Sequence, residues 1–261
     1  MEKLVSSKAM RIVMLCGNGF SSKAMYNGLR NDVVVERVIL EDKPSSKTMI
    51  QRRIKRLGLL KTAGQLFFIV ANKLLSRTTR SESEKLISAY GLKDVEIPDD
   101  VIMRVGSIND DKVMVLLKEI DPDAVVVNGT RIISKKVLSS VSVPFINTHM
   151  GITPKYRGVH GGYWALANGD KENCGVTVHL VDEGIDTGGV LYQEVIHPSS
   201  HDNFNTYPIH QIAKAIPLMK KALKDVQSNA LSIQPGIMPS QLYYHPTLLE
   251  YFKNWVVRGV R

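Results

Sequence analysis

From residue 11 to residue 196, short β-branched runs alternate with stretches whose apolar residues recur at helical spacing, and nothing else in the chain restricts its fold as much. The runs lie at 11–16, 33–40, 124–127, 143–147, 175–181 and 190–196. Strands separated by helices are joined by crossovers, so they lie parallel with helices over both faces. The last two runs are the exception. Only residues 182–189 separate them, too few for a crossover, so they pair antiparallel and make the sheet mixed.

Helical spacing or helix-compatible composition is found at 21–29, at 81–90 and over 47–75, where Ile50, Ile54, Leu57, Leu60, Phe67, Val70 and Leu74 recur, interrupted by Gly58 and Gly64. A short extended piece is expected at 94–98. Asn109 is expected to cap a helix over about 110–120 that Pro122 stops. Further helices are expected at 132–138 and 163–168, and a long one within 203–226, blurred at its start by Pro208 and bent near Pro217. Residues from 228 on form a Pro-Gly punctuated, then Tyr/Trp-bearing tail. The expected fold is therefore α/β: a Rossmann-like, mixed but mostly parallel sheet flanked by helices over residues 1–227, with a short C-terminal appendage over 228–261.

With 261 residues the chain can bury a sizeable core. Cys16 and Cys174 are its only cysteines, and no secretory leader pattern precedes the first apolar run, so a reducing, cytoplasmic location is expected. The longest dense apolar run, 66–71, is far short of the roughly 20 residues of a bilayer-spanning helix. Net charge is +9, and basic residues gather between Lys43 and Arg80 with almost no acid. Such a field favours anionic partners: phosphorylated metabolites, polyglutamate tails, nucleic acid or an acidic membrane surface. The segment itself reads as core packing with a basic outer face, or as an oligomer surface, a membrane-surface helix or a lid.

Two places carry candidate chemistry. The turn Gly17-Asn18-Gly19 follows a strand and opens a helix, where backbone N–H groups can cradle an anion. It lacks the third glycine of a dinucleotide fingerprint, and Glu41 or Asp42 is its only candidate for a ribose-binding acid. The second place, residues 146–158, lies at the carboxyl end of a parallel strand, where open α/β sheets form their clefts. Asn147 and His149, two apart on extended backbone, project to one side of the strand. Arg157 and the glycines Gly158, Gly161 and Gly162 make a polar loop beside them, with His160 within it. Asp186, in a Gly-bounded loop between two strands, can return a carboxylate to the same point. No metal-ligand spacing is present, which leaves organic acid-base chemistry and no metal.

The ordered motifs Asn147-Thr148-His149, Pro154-Lys155-Tyr156-Arg157-Gly158, Gly175-Val176-Thr177-Val178-His179 and Asp182-Glu183-Gly184-Ile185-Asp186-Thr187-Gly188 resemble the folate-dependent formyltransferases. Glycinamide ribonucleotide, methionyl-tRNA and sugar N-formyltransferases belong to that family, and the resemblance runs from about residue 11 to 195. It implies 10-formyltetrahydrofolate as formyl donor, with Asn147, His149 and Asp186 as catalytic residues. It further implies a pterin pocket lined by Arg131, Ile132 and Ile133 and closed by the backbone of Val181, Asp182, Glu183 and Gly184. The chemistry suits these residues. An amine attacking a formyl carbon passes through an oxyanion, which the Asn147 amide and a protonated His149 would stabilise while Asp186 orients the imidazole.

Two departures concern the acceptor side. Met150-Gly151-Ile152-Thr153-Pro154 replaces the family's Ser-Leu-Leu-Pro type of loop, and His160-Gly161-Gly162 replace small apolar residues. The resemblance implies a small-molecule amine acceptor, and Gly17, Asn18, Gly19, Arg157 and His160 are the residues expected from their loops to contact it. A nucleotide-linked amino sugar suits the basic surface. No tRNA is expected, because tRNA-formylating relatives carry a substantial domain after the catalytic one. Rival readings are a glycinamide ribonucleotide-type formyltransferase, hydrolysis of the same folate donor, and a non-catalytic nucleotide-binding or membrane-surface scaffold.

Overall fold

The structure is a computed structural model and describes residues 9–261; the first eight residues of the polar start, where a leader was sought, lie outside the described residues. The strands are β1 (Arg11–Gly17), β2 (Val34–Glu41), β3 (Ile102–Val105), β4 (Ala124–Asn128), β5 (Phe145–His149), β6 (Arg157–Gly158), β7 (Gly175–Leu180), β8 (Val190–Val195) and β9 (Leu242–Tyr243). Seven of them form one sheet in the order β3-β2-β1-β4-β5-β7-β8. The first five are parallel, and β7 pairs antiparallel with both β5 and β8. This is the expected mixed sheet. Its edge strand is Ile102–Val105, whereas residues 94–98, read as extended, precede it without pairing. β5 begins and ends two residues later than expected, because β7 pairs with Thr148 and His149 and so prolongs the strand.

The helices are α1 (Phe20–Leu29), α2 (Ser46–Leu57), α3 (Leu59–Thr78), α4 (Arg80–Ala89), α5 (Asp111–Ile120), α6 (Lys135–Leu138), α7 (Gly161–Ala167), α8 (Tyr207–Gln227) and α9 (Leu248–Arg258). Central strand β1 is buried on both faces. Ile12, Met14 and Cys16 meet α1 and α8, while Val13 and Leu15 face the α5 side with Val113 and Leu117. This period-two division of one apolar run is what a sheet covered on both sides requires. Each such fully buried side chain stabilises the fold by about 1.5–3 kcal/mol.

Three expectations change. Asp110, not Asn109, caps α5 by accepting from the Lys112 N–H. The Asn109 side chain instead donates to the Ile132 carbonyl and accepts from the Ser134 N–H, holding residues 131–134 irregular where a helix was expected. The basic segment forms two helices broken at Gly58, but its apolar stripe is not core. α3 buries Thr62, Gln65 and Phe68 and leaves Leu60, Phe67, Val70 and Leu74 exposed.

The tail is packed onto the rest. β9 pairs parallel with β6, and Tyr251 of α9 joins Phe68, Tyr163 and Phe204 in an aromatic cluster. Gly64 is required at this contact, since a side chain there would approach Thr247 Cβ to 2.9 Å.

Glu41, considered above as a ribose ligand, is buried at the end of β2. Its carboxylate accepts from the Ile108 N–H at 2.7 Å and the Arg131 N–H at 2.9 Å and pairs with the Arg131 guanidinium at 2.9 Å. One side chain thereby fixes two loops that border the cleft. Removing one partner of a buried charge pair strands the other. Glu41→Ala is expected to lose about 3–5 kcal/mol in urea denaturation, and Glu41→Gln, which keeps an acceptor, distinctly less.

Candidate active site

The site begins where the sheet changes direction. Antiparallel pairing sets Asn147 directly across from His179 and His149 across from Thr177, so the two residues read from β5 gain a partner, His179, that spacing alone did not assign. The signal for it was a buried histidine on a strand whose neighbours alternate. The His179 Nδ1–H donates to its neighbour's carbonyl, Leu180 O, at 2.6 Å. Its Nε2 is then left to accept from Asn147 Nδ2 at 3.1 Å. This contact orients the amide: its nitrogen end lies at the centre of the site.

Asp186 arrives from the β7–β8 loop. That loop folds tightly onto the end of β7, and a side chain at Gly188 would strike the Leu180 carbonyl. Asp186 sits in the left-handed region at φ 51°, its Oδ2 3.3 Å from His149 Nδ1 and its Oδ1 3.7 Å from His179 Nε2. The Gly158 N–H donates to Oδ2 at 2.9 Å. The carboxylate therefore lies between two imidazoles.

His149 is 5% exposed, and its Nε2 lies 2.6 Å from the Tyr156 carbonyl. Gly151 makes that approach possible, because a Cβ there would lie 2.8 Å from His149 Nε2 and strike the same carbonyl. Burial pushes the imidazole pKa below its ordinary value, against the pull of Asp186 and of the Tyr156 carbonyl. At rest the ring therefore favours the neutral form, not the protonated one expected from sequence. Both ring nitrogens nevertheless face acceptors, so additional negative charge nearby would tip the ring toward protonation. Burial also works to raise Asp186, but the facing imidazoles and the Gly158 N–H hold it below the usual carboxylate value.

Asn147, His149 and Asp186 share the wall of a cleft of about 930 Å³. On one side Ile132, Ile133, Val127 and Val181 present apolar surface beside Asp182 and Gly184. On the other stand His160, Arg52, Arg56 and residues Leu242, Tyr243 and Tyr244 of the tail. The arginines and the tail were missed in the sequence, since neither lies near the motifs. Arg131 borders the cleft, but its guanidinium is committed to Glu41 and to the carbonyls of Asp42 and Gly106.

Several proposed contacts fall elsewhere. Glu183 faces solvent and pairs with Lys135 at 3.5 Å. Arg157 donates to the Ile185 carbonyl and so braces the Asp186 loop from outside the cleft lining. Gly17, Asn18 and Gly19 border a separate cavity of about 180 Å³ with Lys23, Glu96 and Arg104. Among the described residues no cluster of three or more His, Cys, Asp or Glu is placed to hold a metal ion.

Residues 10–211 match the sequence pattern of the family described as formyl transferase. The chain belongs to the formyl transferase family. That match contains Asn147, His149 and Asp186 and the basic segment, and ends before the tail. Over 142 residues the chain is 32% identical to a methionyl-tRNA formyltransferase of Thermodesulfovibrio yellowstonii, covering 54% of this chain and 45% of that protein. The match spans less than half the length of such curated relatives. Its fold is that of a sugar N-formyltransferase from a Shewanella species, with a TM-score of 0.55 and 16% identity over 90% of this chain and 76% of that one. A phosphoribosylglycinamide formyltransferase from Anaplasma phagocytophilum gives 0.57 and 17% over 91% and 100%.

Two further histidines close the arginine side. His160 Nε2 and His245 Nδ1 are 3.0 Å apart, and burial pushes His160 down to about 3 and His245 down to about 4. Unfolded histidines titrate near 6.5, so between about pH 4 and 6.5 the unfolded chain binds protons that the folded one refuses. Stability should therefore be level above about pH 6.5 and fall as the pH drops toward 4, His245 alone accounting for a loss on the order of 3 kcal/mol. Urea midpoints measured at several pH values test this, and the slope should shrink in His245→Asn.

Proposed function

We propose that this chain transfers a formyl group from 10-formyltetrahydrofolate to the amine of a small acceptor that is phosphorylated or nucleotide-linked. The observation that carries this reading is the Asp186 carboxylate set between His149 and His179, with the nitrogen of Asn147 at the same point on the wall of an open cleft. The donor side fits: apolar walls from Ile132, Ile133 and Val181 suit a flat heterocycle, and the neighbouring Asp182 and Gly184 bring polar groups to its edge. The donor would supply the formyl carbon there.

In the transfer, the new N–C bond forms as the bond from formyl carbon to the folate nitrogen breaks. Asn147 Nδ2–H donates to the formyl oxygen as it gains negative charge, an interaction that strengthens toward the transition state. Asp186, kept ionised, receives the proton of the attacking amine, directly or through water. His149, able to take up positive charge beside that carboxylate, steadies the same developing anion, and the proton finally goes to the departing nitrogen.

The phosphorylated character of the acceptor rests on Arg52 and Arg56, which face the cleft and have no carboxylate partner among the described residues. Arg56 lies instead over the Tyr244 ring at 4.8 Å. The solved sugar N-formyltransferase and phosphoribosylglycinamide formyltransferase share this fold, and the second is named for a phosphorylated acceptor.

The test is incubation with 10-formyltetrahydrofolate and a panel of glycinamide ribonucleotide, nucleotide amino sugars and methionyl-tRNA, with mass spectrometry for a gain of one formyl group. Asn147→Ala should lower kcat about 10²–10³-fold. His149→Ala and Asp186→Ala should do at least as much with the fold retained by circular dichroism. Full turnover in all three variants would sink the mechanism, formate release without acceptor would mark hydrolysis, and modification of tRNA alone would overturn the acceptor.

A further inference from the structure

Away from the cleft, α3 and α9 carry a surface that the packing of the molecule does not use. On α3, Leu60, Phe67, Val70 and Leu74 are 89, 66, 62 and 57% exposed, while the polar Thr62 and Gln65 point inward. An ordinary surface helix has the opposite polarity. α9 repeats the pattern. Tyr251 is its buried residue, and Leu249, Phe252, Trp255 and Val256 stand in solvent along one stripe.

The two stripes form one face. Gly64 meets Thr247, and one turn further on Phe68 meets Tyr251 with ring centroids 5.1 Å apart, so the helices lie side by side and run in the same direction. With those two rings facing each other, the helical step turns Phe67 and Phe252 to the same side of the pair. The other side is the inner one, where Asn72 bonds Asn205 and Asn254 bonds Tyr163. Contiguous apolar surface of this kind marks an interaction site.

Charge decides what covers it. Ten of the 34 Lys and Arg lie in residues 43–80 without one acid, leaving 24 basic against 25 acidic residues in the rest of the chain. Lys61, Lys73 and Arg77 on α3 and Lys253 on α9 are exposed, and none is among the ion pairs of the described residues. A second copy would set this positive field against itself. A bilayer carrying anionic headgroups meets both requirements, giving the stripe an apolar layer and the rim its counter-charge. We infer that the α3–α9 face docks on an anionic lipid surface. Phe67, Phe252 and Trp255 enter the boundary between headgroups and acyl chains, and the lysines and arginines lie at the phosphates.

The full chain should cosediment with phosphatidylcholine vesicles that contain phosphatidylglycerol about tenfold or more tightly than with phosphatidylcholine alone, each cation near the surface adding to the difference. Added salt should weaken the binding. Trp255 emission should shift to the blue on binding, against a steady background from Trp164, which is held by the Tyr244 carbonyl. The double variant Phe67→Ser/Phe252→Ser should lose sedimentation and shift together while its thermal unfolding is unchanged, since the deleted rings face solvent. Three results would overturn the assignment: no preference for anionic vesicles, equal binding by the double variant, or a wild-type dimer that the double variant dissociates, which would make the face a seam between copies.

Discussion

The site depends on one reversal of strand direction. β1 through β5 run in parallel and end on the same edge of the sheet, and β7 enters beside β5 from that edge. A parallel neighbour could not have set His179 across from Asn147 while its own continuation turned back toward His149. Because β7 runs away from the cleft edge and its connection to β8 is short, the loop bearing Asp186 is folded against the ends of β5 and β7. Thr177, across from His149, secures the other flank: it donates to the Gly151 carbonyl at 2.7 Å and accepts from the Thr153 N–H at 3.1 Å.

A group of this polarity is costly to bury unless each member is satisfied. The costs are shared unevenly here. Asp186 has the imidazole of His149 and the Gly158 N–H against it, and it stays charged. His149 has acceptors at both nitrogens but too little solvent to hold a proton at rest. An ionised carboxylate held against a neutral imidazole is an arrangement found at sites that move protons. The His160–His245 pair differs in kind: burial keeps both rings neutral, they touch each other, and His160 rests on Phe204, so they form an uncharged wall beside the arginines.

Much of this was legible in the residues because it follows from short-range rules. Period-two runs and a connection too short for a crossover gave the mixed sheet, and the spacing of Asn147 and His149 gave their common side. What escaped depended on distant partners. The helix expected at 132 starts only at Lys135, because Asn109 holds the preceding turn. Arg157 turned out to brace a loop because the carbonyl it reaches belongs to Ile185, far along the chain. Gly17-Asn18-Gly19 sits at the right end of the right strand, yet it borders a separate cavity, lined also by Glu96 and Arg104, which no local pattern connects to it.

The basic segment shows the limit of periodicity most clearly. An apolar stripe at helical spacing states that a helix has a partner, not which face of which body supplies it. In α3 the stripe and the face used by the fold are different: Phe68 alone anchors the aromatic cluster, and Gln65 donates to the carbonyl of His245, 180 residues away. Gly64 lies against Thr247, and Arg56 covers Tyr244. Two stretches that look like unrelated additions, one early and one at the end of the chain, are thus a single packed unit on the arginine side of the cleft. The inward contacts of that unit are already satisfied by polar and aromatic groups, so the leucines and phenylalanines left outside answer to a requirement that does not come from folding.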